Sequence, residues 1–185
     1  MNELRNSRRF EEPGTRLQDI VRRNRSSDAV GVYAVCSAHP DVIAAAAREA
    51  RANDSVLHVE STSSQVNQFG GYTGQNPEQF ASFVRTAAAE AGLPANRMLL
   101  GGDHLGPFPW RREPVAVAME KAHGLVRGCV LAGYQKIHLD ASMACADDPK
   151  AGPDERTVAE RAAELCETAE NTFRELAPNS PPLLY

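Results

Sequence analysis

Apolar positions along this chain switch repeatedly between a two-residue and a helical period, and the switching alone predicts most of its elements. Leu17, Ile20 and Val21 fall on one face of a short helix over residues 15–25. A strand is predicted over 29–36, then a helix over 40–52, a second strand over 55–62 and a polar, glycine-rich stretch to Gly74. The next helix, 77–91, has Asn76 at its N-cap, Pro77 at its first position and Gly92 just beyond its end. A third strand is expected over 98–102 and a helix over 114–132, with Val115, Ala118, Ala122, Leu125 and Cys129 on one face and Gly133 as the stop. The fourth strand spans 136–141. Thr157 and Glu160 read as a capping box opening a last helix with Val158, Ala162, Leu165, Ala169 and Phe173 on its apolar face. Residues 181–185 then look like the start of a fifth strand.

Strands alternating with long helices mean βαβ crossovers and a parallel α/β sheet. An open doubly wound sheet and a closed (β/α)8 TIM barrel both satisfy that order. The distribution of polar residues chooses between them. Each strand runs into reactive side chains at its C-terminal end: Ser37 and His39, Glu60 through Gln65, Asp103 and His104, Asp140 and Ser142. One contribution per strand at a single mouth is how barrels build sites, whereas a doubly wound sheet uses one crevice. A whole barrel takes about 250 residues, so the expectation is the N-terminal half of one, about four βα units, broken off as strand 5 begins. Residues 1–27 then form a polar leader and N-terminal helix, and 28–185 the half-barrel.

Composition adds mainly exclusions. The net charge of −4 offers no basic face for nucleic acid. The cluster Arg22, Arg23 and Arg25 reads as a solvated helix face. No apolar run approaches a membrane span, and the first dozen residues lack the apolar core of a signal peptide. The four cysteines form no CxxC pair, which fits a reducing cytoplasm better than a disulfide scaffold.

The candidate chemistry follows from strand alternation. Leu57-His58-Val59-Glu60-Ser61-Thr62 and Ile137-His138-Leu139-Asp140-Ala141-Ser142 repeat one pattern, so His58 and Glu60 share a face, as do His138, Asp140 and Ser142. The two histidines are expected level with one another as satisfied polar core, with Glu60 and Asp140 above them as working carboxylates. Asp103 and His104 follow Gly101-Gly102, a Lewis-acid ligand beside a proton carrier, with loop fixing as the alternative. The stretch from Gln65 to Gly74, with Asn67, Gly70 and Gly71, could hold sugar hydroxyls or a phosphate, and turn chemistry explains its glycines nearly as well. His39 reads equally as an N-cap. His123 reads as a surface residue, and Cys145 has no base partner to make it a nucleophile.

At these motifs the chain resembles a known family. Val35-Cys36-Ser37-Ala38-His39-Pro40, residues 65–74, Gly101 to Pro107, Lys136 to Met143 and Thr157 to Ala162 are similar to the Z-type (GatZ/KbaZ-like) subunits of class II D-tagatose-1,6-bisphosphate aldolase. The resemblance implies a (β/α)8 barrel, a cytoplasmic setting and a role in galactitol or amino-sugar catabolism. It implies a non-catalytic subunit that stabilises and activates a catalytic Y-type partner and handles a sugar phosphate. Some relatives are described instead as divalent-metal ketose 4-epimerases, and older labels name a tagatose-6-phosphate kinase. No segment here matches a nucleotide-phosphate motif. Asp103-His104 matches the family pair in which the Asp is an acid/base and the His a metal ligand. A zinc centre needs about three protein ligands, and on this resemblance the others would come from strands after Tyr185.

Overall fold

The computed structural model describes residues 13–177, 179 and 182–185; the leader, 1–12, lies outside them. Helix α1 (Pro13–Arg25) precedes β1 (Ala34–Val35), α2 (Pro40–Ala52), β2 (Leu57–Thr62), α3 (Pro77–Glu90), β3 (Met98–Leu105), α4 (Val115–Leu131), β4 (Lys136–Leu139) and α5 (Glu155–Leu176). All four strands are parallel, in the order β1-β2-β3-β4. Each strand pairs with the one before it, and the order never reverses. That is consistent with part of a barrel.

One sheet face is dry. Leu57, Val59 and Leu100 pack with Ile43, Phe80, Val84, Leu125, Val126 and Leu165 from α2, α3, α4 and α5 into one buried cluster. The hydroxyls of Ser61 and Tyr134 satisfy each other there at 2.8 Å. The opposite face carries His58 and Lys136, which share a cavity of about 550 Å³ with Leu17 and Val21 of α1 and with Leu184.

The caps are built largely as the sequence indicates. Asn76 accepts from the Gln79 amide and Gln79 returns the bond, a complete capping box. Gly92 and Gly133 take the left-handed conformations that end α3 and α4. Helix α5 differs from expectation. Its N-cap is Asp154, whose carboxylate accepts from the Thr157 amide at 2.8 Å, so Thr157 lies inside the first turn. The first strand is also much shorter than 29–36. Among the described residues it pairs only with β2, at Ala34 and Val35, and Tyr33 and Ala34 are exposed.

Near the end of the described residues the chain meets β4 at one isolated bridge and not in a strand. Leu184 donates to the Gln135 carbonyl at 2.9 Å and accepts from Ile137 at 2.7 Å, a parallel bridge beside β4. Among the described residues, no helix is long and apolar enough to cross a membrane.

Candidate functional site at the strand ends

Strand β3 runs three residues further than expected, so Asp103 and His104 belong to the strand and not to the loop after it. Gly102 pairs with Ile137 and Leu105 with Leu139, leaving one extra residue on β3. This is a β-bulge, which bends a strand and re-aims its side chains. His104 takes a left-handed φ of 50° in it. Both side chains are thereby turned toward the end of β4.

There they meet His138. Asp103 Oδ1 lies 2.8 Å from His138 Nδ1 and 3.0 Å from His104 Nδ1, and the imidazole rings are 4.4 Å apart. Burial alone would raise the Asp103 carboxyl, but the two imidazoles outweigh it and hold the group below its ordinary value. Cys36, at the end of β1, approaches Asp103 Oδ2 at 3.7 Å. Burial, then the Asp103 charge, pushes the Cys36 thiol up to about 11, so it stays protonated near neutrality and is a poor nucleophile.

The expected level pair of histidines is not formed. His58 pairs with Leu99 and Glu60 with Gly101, while Lys136 pairs with Gly101 from the other side. Lys136, not Asp140, therefore stands across from Glu60. His138 is two residues further on and comes level with Asp103. It is 41% exposed, no core histidine, and strand alternation placed it on the right face without revealing its height. Glu60 sits deep in the interior, 2.6 Å from Lys136 Nζ and 3.1 Å from His58 Nε2. Burial pushes its carboxyl up, and these two neighbours together more than reverse that.

The remaining candidates separate from the cluster. Asp140 Oδ1 accepts from the Ser142 amide at 2.9 Å and hydroxyl at 2.6 Å, a local turn at the rim. Gln65 is buried, and its Oε1 accepts from the Thr62 amide at 2.8 Å while facing Cys36 Sγ at 3.8 Å. Asn67 is buried and builds the loop, donating to Ser63 O and accepting from the amides of Phe69 and Gly71. Gly70 and Gly71 both have positive φ, and a Cβ on Gly71 would fall 2.3 Å from the Gln65 carbonyl oxygen. His39 caps α2, its Nδ1 accepting from Asp41. His123, half-buried, ties α4 to α5 through Thr168 at 2.7 Å, so it is no mere surface residue.

Asp103, His104 and His138 each offer one ligand atom, all within 4.8 Å of one another. One carboxylate and two imidazoles are a donor set that suits a divalent transition metal, and three protein ligands leave a position open for substrate. The residues present therefore fit a metal ion. The sequence alone offers only His104 for that role.

A parallel α/β sheet with a carboxylate–imidazole cluster at its strand ends defines a class of small-molecule sites, seen in many metabolic proteins. Comparison with known proteins is more specific. Residues 17–185 match the family described as D-tagatose-1,6-bisphosphate aldolase subunit GatZ/KbaZ-like, and the chain belongs to it. It is 54% identical over 156 residues to the D-tagatose-1,6-bisphosphate aldolase subunit GatZ of Klebsiella pneumoniae, covering 84% of this chain and 37% of that protein. The Salmonella agona subunit of the same name is 50% identical over 159 residues, covering 86% of this chain and again 37% of that protein. A solved structure, a probable tagatose 6 phosphate kinase from Sinorhizobium meliloti, superposes with a TM-score of 0.74 at 45% identity, over 77% of this chain and 36% of that one. The chain thus spans a little over a third of the length of these relatives.

Proposed function

We propose that this chain is the N-terminal part of a Z-type subunit of D-tagatose-1,6-bisphosphate aldolase, working in the cytoplasm as a stabilising and activating partner of a catalytic Y-type subunit. The observation that carries this reading is the 54% identity to a subunit so named, within a family match running from residue 17 to 185. In this reading the four strands are the first half of a closed (β/α)8 barrel. Its mouth keeps groups suited to a sugar phosphate, Asp103, Asp140, the Ser142 hydroxyl and the loop of Gln65, Asn67, Gly70 and Gly71, while Glu60 lies buried below them against Lys136. Adding the full-length subunit to a purified Y-type aldolase should lengthen the enzyme's half-life at elevated temperature and raise its turnover of tagatose bisphosphate. An aldolase indifferent to the addition overturns the proposal.

One observation favours a second reading, a metal-dependent epimerase or lyase acting on a ketose phosphate. It is the convergence of Asp103, His104 and His138. A divalent ion held there would supply Lewis-acid polarisation of substrate oxygens. Asp103, kept ionised by its imidazole neighbours, would accept a proton from the substrate, and Cys36 would donate a weak hydrogen bond that steadies the carboxylate. Ketose-phosphate turnover by the full-length subunit without its partner, abolished both by chelation and by Asp103→Asn, would establish this activity. Its absence in a metal-loaded sample leaves the subunit role.

A further inference from the structure

Beneath the Asp103 cluster lies a second polar layer that takes no part in the chemistry above it. Buried Glu60 holds the Lys136 ammonium at 2.6 Å and faces buried His58 at 3.1 Å. A buried ion pair is a poor source of stability, since an apolar pair of similar volume often does as well or better. What this pair contributes depends on where it stands.

Gly101 is the register partner of Glu60 on one side and of Lys136 on the other, so the pair clasps β2 to β4 across β3. Side chains return to the same face of a strand every two residues. Two residues beyond Gly101 is Asp103, and two beyond Lys136 is His138. Those are the side chains that meet at 2.8 Å. The clasp therefore lies one layer below the contact that makes the cluster.

The backbone ladder does not hold that contact by itself. Pairing between β3 and β4 is regular at Gly101–Lys136 and Gly102–Ile137 and resumes only at Leu105–Leu139, so Asp103 and His104 have no register partner on β4. A bulge interrupts the ladder in just this way. The Lys136 ammonium also reaches the Gly102 carbonyl at 3.4 Å, on the last paired residue before the bulge. One side chain thus fixes both sides of the gap, the peptide that leads into Asp103 and the stretch of β4 that carries His138. Ligand sets of this kind work only when the residues around them hold them to within about 0.5 Å.

We propose that Glu60 and Lys136 are a positioning pair for the Asp103, His104 and His138 ligand set, keeping it converged for a divalent ion. Neither is among the three residues whose ligand atoms converge. Glu60 acts through Lys136, and Lys136 acts through Gly102 and its own strand. Gly101 belongs to the device, because a Cβ there would stand 3.1 Å from Glu60 Cγ. The proposal rests on the metal-dependent reading above and adds which buried residues bring the ligands together.

The test uses the full-length protein and a double variant, Glu60→Gln with Lys136→Met. It removes one charge of each sign, so the net charge beneath the ligands is unchanged and a change in metal binding reports position. Titration calorimetry with zinc alone should show affinity weakened by ~10- to 100-fold, the range of outer-shell losses. The visible absorption of the cobalt(II)-loaded variant should change even at saturation, because the ligand geometry has changed. A purely structural layer would lower the melting temperature and leave both metal readouts alone. Far-ultraviolet circular dichroism checks the fold; Gly101→Ala, which crowds the same layer without altering charge, serves if the double variant does not fold. A folded variant with the zinc affinity and cobalt spectrum of the wild type overturns the positioning role and leaves the metal reading intact. A wild type that binds neither metal overturns both.

Discussion

Glu60 on β2 and Lys136 on β4 meet at 2.6 Å across β3, through the space that Gly101 leaves empty. Two residues on non-adjacent strands can do this only because the strand between them has no side chain at that level. A Cβ on Gly101 would fall 2.9 Å from His58 Nε2 and 3.1 Å from Glu60 Cγ. Gly101→Ala should therefore displace buried side chains, and overpacking of this kind costs about 1–3 kcal/mol. Urea denaturation of the wild type and the variant measures it. An unchanged midpoint would show that the layer relaxes freely.

Removing the ammonium alone should be worse. Lys136→Met leaves the Glu60 carboxylate buried beside a single imidazole, and an orphaned buried charge destabilises by about 3–5 kcal/mol. Adding Glu60→Gln removes the charge and should recover more than half of the loss. A double-mutant cycle in denaturant reads the coupling directly, and additive effects would contradict it.

Acid stability should depend on Asp148. Arg161 grips this carboxylate through two bonds of 2.6 and 2.9 Å, and that pairing holds its carboxyl below the ordinary value of 3.8. A depressed carboxyl makes the unfolded chain bind more protons than the folded one, so stability rises with pH through this range. The contribution is complete above the ordinary value and is lost as pH falls through the lower, folded one. Melting temperatures from pH 6 to pH 3 should fall less steeply in Asp148→Asn than in the wild type, from a lower starting point.

Should the full-length protein bind a divalent ion at the strand ends, His104→Ala and His138→Ala should each weaken zinc by more than the ~10- to 100-fold typical of outer-shell losses. His39→Ala, which touches only a helix cap, should leave zinc affinity unchanged. Calorimetry with zinc alone, independent of turnover, distinguishes ligands from bystanders.

Local chemistry made much of the fold legible. Pro40 and Asn76 mark helix starts because proline and an Asx cap each satisfy a specific backbone need, and neither depends on distant residues. Competition between neighbouring caps was harder: Thr157-Glu160 fits the capping-box pattern, yet Asp154 captures the Thr157 amide first. The site was half legible. Strand alternation assigned faces to His58, Glu60 and His138, but height along the barrel axis depends on register between strands. The pairing of Gly101 with both Glu60 and Lys136 sets that register, the bulge beyond Gly102 then re-aims Asp103 and His104, and a sequence read one strand at a time carries no sign of either. Lys136 was missed for the same reason, since nothing near it in sequence reveals that its partner is 76 positions back, at Glu60.

The unbroken order of the sheet bears on how the chain is made. Every strand hydrogen-bonds to the one synthesised before it, and α4 and α5, like α2 and α3, pack as consecutive pairs. No segment has to wait for a distant one before it finds its neighbour, so closure entropy stays small at each step. As the polypeptide leaves the ribosome, each new βα unit has a finished template to dock on.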